Sequence, residues 1–133
     1  MTHLRISQAA TFVGVSDDTV RRWIEQGTLT GNKDSAGYAV VDGAELAAYA
    51  RDNAVSPQDP AGVNSSARNR LVGLVTAVTS DPVMSQVELQ CGPHRIVSLM
   101  STEAVRDLGL EPGSVATAVV KSTAVIVETE GHK

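Results

Sequence analysis

The apolar residues of this chain change their period once. Up to about residue 53 they recur in steps of three and four. From Leu71 onward they alternate. Between the two patterns lies 54–64, with two prolines, one glycine and few apolar groups. A helical stripe and a pleated strand cannot continue one another in register. The chain is therefore expected to fold as two units: residues 1–53, a linker over 54–64, a second domain over 65–128, and a tail over 129–133. A length of 133 residues accommodates two small domains, each with a modest core, which favours oligomers. The expected fold class is α+β.

Composition narrows the function classes. Phe12, Trp23, Tyr38 and Tyr49 are the only aromatics and all lie in the first half, so the second core must be built from Val, Leu, Ile and Ala. The net charge of −4 hides no basic tail, so any DNA contact must come from a local patch. The single cysteine, Cys91, cannot form an intrachain disulfide and reads as an incidental thiol in a hairpin-like turn. With no signal peptide pattern and no bilayer-length apolar run, the chain is expected to be cytoplasmic, with no membrane partner.

In the first segment Ile6, Ala9, Ala10 and Val13 fall at helical spacing, with Ser7 as a candidate N-cap. Gly14 breaks the pattern. Ser16 caps a second helix, and Asp17 and Asp18 sit in its first turn, where carboxylates favour the positive helix end. Thr19, Val20, Trp23 and Ile24 continue it, and Gly27 stops it as a left-handed residue. Two short helices joined at a glycine match a helix-turn-helix. Ser16, Asp17, Asp18 and Thr19 would approach base edges, and Arg21 and Arg22 follow on the same helix. The Gly-containing stretch 31–38, with Lys33 and Tyr38, reads as a hairpin wing. Asp42 caps a last helix over 43–52. Trp23 shares a face with Val20 and Ile24, so it reads as core; His3 reads as incidental.

The second segment holds strands over 71–78, 83–90, 94–100, 115–121 and 124–128. A short helix over 101–109 has Ser101 as cap and Gly109 as stop. Five short strands with a helix after the third outline an oligonucleotide/oligosaccharide-binding (OB) type β-barrel. The stretch before the first strand, Ser65-Ser66-Ala67-Arg68-Asn69-Arg70, joins hydroxyl donors to a cation that stays charged and forks toward oxygen-rich anions. Lys121 adds a second cation. Arg70, Arg95 and Arg106 read as surface charges, and His94 as solvated. No Cys/His cluster supports a metal cation site, and no nucleophile–base pair or Gly-rich nucleotide loop supports an enzyme.

Two resemblances sharpen this. Ser7-Gln8-Ala9-Ala10, Val13-Gly14-Val15-Ser16, Thr19-Val20-Arg21-Arg22-Trp23-Ile24 and Gly27-Thr28-Leu29 make residues 4–51 similar to the winged helix-turn-helix of the MerR and excisionase-like family. That implies DNA binding, with the second helix in the major groove and the wing on phosphate. Family wings usually carry several arginines; here Lys33 stands alone. Ser66-Ala67-Arg68-Asn69-Arg70-Leu71-Val72-Gly73, Leu108-Gly109-Leu110-Glu111-Pro112-Gly113 and Ala118-Val119-Val120-Lys121-Ser122-Thr123-Ala124-Val125 make residues 65–127 resemble the Mop, or TOBE, domain. That implies molybdate or tungstate bound at subunit interfaces, without further cofactor. The implied ligand residues are Ser66, Ala67, Arg68 and Asn69, then Ser101, Thr102 and Glu103 at the helix start, then Lys121, Ser122 and Thr123. The family often has serine where this chain has Ala104. Relatives with one such domain per chain imply a homo-oligomer, a dimer or a trimer of dimers.

A dianion needs compensating charge and many donors, which these residue types supply. Singly, Ser101 reads as a cap and Lys121 as a solvated edge residue; their joint order carries the ligand reading. The leading expectation is a molybdate-responsive, DNA-binding transcriptional regulator. The alternative is a molybdate storage or buffering oligomer whose N-terminal domain serves assembly or localisation. A third reading gives the barrel only an oligomerising role.

Overall fold

The computed structural model describes residues 2–131. They fall into two compact units, 1–55 and 56–133; residues 132–133 of the expected tail lie outside the described residues. No described helix is long and apolar enough to cross a membrane.

The first unit runs β1 (His3–Arg5), α1 (Ile6–Val13), α2 (Asp17–Glu25), β2 (Gly31–Lys33), β3 (Ala39–Asp42) and α3 (Gly43–Asn53). Its helix ends follow from local chemistry. The Ser16 hydroxyl accepts from the Thr19 amide at 3.2 Å, and the Asp42 carboxylate from the Glu45 amide at 3.2 Å. Past α2, Gly27 has φ 78°. There the Thr28 amide donates to Trp23 O (2.8 Å) and the Gly27 amide to Ile24 O (3.1 Å), the paired bonds of a Schellman ending. Ser7 is not the cap of α1. The cap is Arg5, whose amide donates to the Gln8 side chain at 3.1 Å. The reason is β1, which the sequence reading did not foresee. Residues 3–5 pair with β3 in a three-stranded sheet of order β1-β3-β2, so the helix begins where that strand stops. His3 is thus a strand residue. Val20, Leu29, Val41 and Leu46 form the core with Ile6, Ala9 and Ala10, and Trp23 packs against it, its ring 4.6 Å from that of Tyr49.

The second unit runs β4 (Asn69–Ser80), β5 (Met84–Cys91), β6 (His94–Ser101), α4 (Thr102–Leu108), β7 (Val115–Val120) and one 3-10 turn (Ser122–Ala124). These strands form one antiparallel sheet of order β6-β5-β4-β7. The alternation of β5 fixes its inner face as Ser85, Val87, Leu89 and Cys91. Val75, Val87, Leu89, Cys91 and Val105 make the core, so α4 covers that face through Val105. Ser101 caps α4 by accepting from the Ala104 amide at 3.1 Å.

Three expectations are corrected here. The sheet has four strands, not the five of the expected barrel, because residues 125–131 make no strand. A β-prone run becomes a strand only when a neighbour takes its backbone groups. Cys91 is a buried core residue at the end of β5, its thiol 3.6 Å from Leu71 O, and the turn is Gly92-Pro93. Arg70 is not a free surface charge: its Nε donates to Asp59 at 2.7 Å, and both side chains are largely covered.

Asp59 also accepts from the Thr117 hydroxyl (2.8 Å) and the Ala61 amide (2.9 Å). Part of the expected linker is therefore fixed to β4 and β7. Chiefly the Arg70 hydrogen bond, then the Ala61 amide and the Thr117 hydroxyl, hold the Asp59 carboxyl well below the usual carboxylate range. The Met84 and Val83 amides lower Asp81, and Arg95 with Thr76 lowers Glu88. A carboxylate depressed by folding stabilises the fold above its unfolded pKa, and that contribution is lost as pH falls through the folded value. The second unit is therefore expected to lose stability on acidification below about pH 4. Thermal melts between about pH 3 and pH 7 check this, and Asp59→Asn should flatten the dependence. An unchanged pH slope in that variant would show that the anchor does not hold the unit together.

Candidate functional site

The expected ligand residues fall into two groups in the second unit. Ser66 to Asn69 lead into β4, and Lys121 to Thr123 follow β7. Asn69 and Val120 are register partners, and the Asn69 side-chain amide donates to Val120 O at 3.1 Å. This pairing brings the Arg68 and Lys121 segments together at one end of the sheet. Ala67 is buried and anchors its segment. Ser66, Arg68, Lys121, Ser122 and Thr123 are exposed. Neither Arg68 nor Lys121 makes an ion pair among the described residues. Two unpartnered cations beside three hydroxyls can receive an oxyanion by charge-assisted hydrogen bonds.

Ser101, Thr102 and Glu103 lie elsewhere. Ser101 pairs with Met84 at the start of β5, and Ser85 pairs with Ser80 at the end of β4. The start of α4 is thus beside the far end of β4, a strand of 12 residues rising about 3.3 Å per residue. A single copy does not assemble both groups around one small ion.

The hydroxyls at that far end carry structural bonds. Thr102 Oγ1 donates to Asp81 O at 2.8 Å, so it must accept from Ser85 Oγ, also at 2.8 Å. Ser85 is buried and in turn accepts from Ser80 at 2.7 Å. The Thr102 amide donates to Val83 O at 2.8 Å, and the Ser101 hydroxyl is held by the Ala104 amide. The remaining first-turn donor of α4 is the Glu103 amide. Thr102 therefore shapes this corner through the hydroxyl relay, a role hidden in the sequence because Ser80, Ser85 and Thr102 come from three elements.

In the first unit Ser16 spends its hydroxyl on its cap, with Thr19 Oγ1 3.0 Å away. Asp17, Asp18, Arg21 and Arg22 are exposed on α2, opposite the buried Val20. Arg21 Nη1 lies 3.3 Å from Asp18, whereas Arg22 and Lys33 make no ion pair among the described residues. The sequence reading missed Arg5. Its guanidinium lies 4.0 Å from the centre of the Tyr38 ring and 3.7 Å from Asp34, and it shares a surface hollow with Asp17, Arg21 and Tyr38. Nothing local marked it, since the contact closes only when β1 joins β3. No described cluster of His, Cys, Asp and Glu could hold a metal ion.

Comparison with known proteins places both halves. The family description "Helix-turn-helix domain" matches residues 4–54, and "TOBE domain" matches residues 65–127. The chain is 41% identical over 63 residues to molybdenum-pterin-binding protein 3 of Clostridium pasteurianum, covering 47% of this chain and 93% of that protein. It is 39% identical over 69 residues to the molybdenum transport protein ModE of Herbaspirillum seropedicae, covering 51% of this chain but only 26% of that protein. Among solved structures, a molybdate-binding protein from Sporomusa ovata is 30% identical with a TM-score of 0.49, over 50% of this chain and 100% of the other. Its second half makes this chain a member of the TOBE-domain family, carried behind a helix-turn-helix domain.

Proposed function

We propose that the protein is a DNA-binding regulator that responds to molybdate or tungstate, held between the β units of neighbouring copies. One observation carries this reading: the two groups of ligand-type residues stand at opposite ends of β4 in a single copy. A site using both must draw them from different copies, with Arg68 and Lys121 from one and the start of α4 from another. The names of the TOBE relatives, which bind or transport molybdenum species, supply the ligand class. At neutral pH molybdate is a tetrahedral dianion, matched to two cations and several donors.

The mechanism is one of linkage. An anion that favours one packing of the β units shifts the population toward it, by no more than its differential affinity for the two arrangements. The helix-turn-helix domains then follow as pairs. On DNA, Arg22 and Lys33 supply phosphate contacts, with Arg21 partly neutralised by Asp18. Arg22→Ala is expected to weaken DNA binding about tenfold and to reduce the salt slope by about one, as read by fluorescence anisotropy over a salt series.

The testing experiment is calorimetric titration with molybdate, with sulfate as control, followed by DNA binding with and without molybdate. Tight molybdate binding, sulfate ignored, and a ligand-dependent DNA affinity are the expected results. Molybdate binding without any DNA affinity would select the storage reading, which the few free cations on α2 and β2 favour. No heat and no thermal shift with molybdate would sink both and leave the second unit as an assembly module.

A further inference from the structure

The first unit holds a cation that lies on neither α2 nor β2. Arg5 ends β1, which pairs with β3 so that Arg5 stands opposite Val40. Its guanidinium reaches the loop between β2 and β3 and lies 4.0 Å from the centre of the Tyr38 ring. That loop is itself fixed. Asp34 Oδ1 accepts from the Ala36 amide (3.0 Å) and the Tyr38 amide (2.9 Å). The other carboxylate oxygen faces Arg5 Nε at 3.7 Å, too long for a hydrogen bond.

Ring and carboxylate thus hold the guanidinium without using its donors. The guanidinium makes no hydrogen bond among the described residues, and the side chain is 52% exposed. Such a group is suited to an oxygen-rich anion. Being held already, it loses less freedom on binding than a cation on a loose stem.

The surroundings name the anion. Arg5 and Tyr38 share a surface hollow with Ser7 and with Asp17 and Arg21 of α2. On its wall two cations stand against one carboxylate, Asp17. Arg21 is drawn to Asp18 at 3.3 Å, so the open donors are those of Arg5. The hollow lies between the helix expected in the major groove and the hairpin expected beside it. On a duplex, the phosphodiester backbone borders that groove, and contacts to it fix the register of a bound helix.

We propose that Arg5 is a phosphate contact of the DNA interface and that Tyr38 positions it. The inference rests on the DNA-binding reading and adds to it a cation supplied by β1.

Fluorescence anisotropy of the full chain with a labelled random-sequence duplex, over a salt series, tests it. Arg5→Ala is expected to weaken binding about tenfold and to lower the salt slope by about one. Arg5→Lys keeps the charge but loses the fork. Its slope should stay, and its affinity should fall between the two. Tyr38→Leu removes the platform and leaves the charge, so it should weaken binding at unchanged slope. Arg5→Ala combined with Tyr38→Leu should bind no worse than Arg5→Ala alone, because the ring acts through the guanidinium. Each variant keeps the backbone pairing of β1, and circular dichroism should be unchanged.

Arg22→Ala separates this inference from the reading beneath it. If Arg22→Ala weakens binding and Arg5→Ala does not, the inference falls and the DNA reading stands. A lysine variant whose slope drops as far as that of the alanine variant would also overturn it, as would additive losses at Arg5 and Tyr38. If the unmodified protein binds no duplex, both fall.

Discussion

Arg68→Ala is expected to lower molybdate affinity by about 100-fold or more and to leave the unfolding temperature of the second unit nearly unchanged. The guanidinium is exposed and makes no ion pair among the described residues, so its loss breaks no salt bridge of the folded chain among them. Toward a dianion it offers two parallel N–H donors and a charge. Hydrogen bonds to charged groups contribute about 1.5–3 kcal/mol each, and two of them at the lower end give roughly the factor stated. Arg68→Lys keeps the charge but loses the fork, so its affinity should fall between the two. Titration calorimetry reads the affinity and a thermal melt reads the fold. Normal binding by the alanine variant would remove Arg68 from the site; a collapse of the melt would make it a structural residue.

Gly73→Val is expected to destabilise the second unit by about 3 kcal/mol or more, the upper end for forcing atoms into a packed interior. Gly73 sits in β4 where the pairing passes from β7 to β5. A Cβ there would meet the carbonyl oxygen of Gln90 and would lie 2.7 Å from the Cys91 thiol. The carbonyl belongs to the backbone of β5, so it cannot turn away as a side chain could. The smaller Gly73→Ala change meets the same backbone atom and should cost nearly as much. Denaturant unfolding of the full chain measures it. Full stability of the valine variant would mean that β5 can swing clear of β4 at this point.

What could be read from the sequence was mostly local. Ser16, Asp42 and Ser101 were legible as caps because a cap reaches only three residues along the chain. The inner face of β5 was legible because alternation is a property of one strand. Features that depend on distant partners were not. β1 is three residues long and exists only by pairing with residues 40–42, so nothing in His3-Leu4-Arg5 announced it, and Ser7 was read as the cap instead. Arg70 looked like any surface arginine until Asp59 was brought to it. Residues 124–128 were read correctly for their composition but wrongly for their state, since no neighbouring strand takes them in the single chain. The candidate site follows the same division. The residue types of an anion receptor could be named in order, but not their placement at two ends of one sheet, nor the use of Thr102 in a hydroxyl relay.

The anchoring of Asp59 bears on how a signal could pass between the halves. From the end of α3 at Asn53 to Asp59, the untethered chain is only residues 54–58, which reach at most roughly 20 Å when fully drawn out. A flexible joint of the whole expected length would absorb a shift of the β units as slack. A leash of this length only sets a tighter upper bound on the reach between Asn53 and Asp59 than the whole stretch 54–64 would. Cutting the Asp59 contacts to Arg70 and Thr117 would lengthen the leash without altering Arg68, Lys121 or any residue of α2.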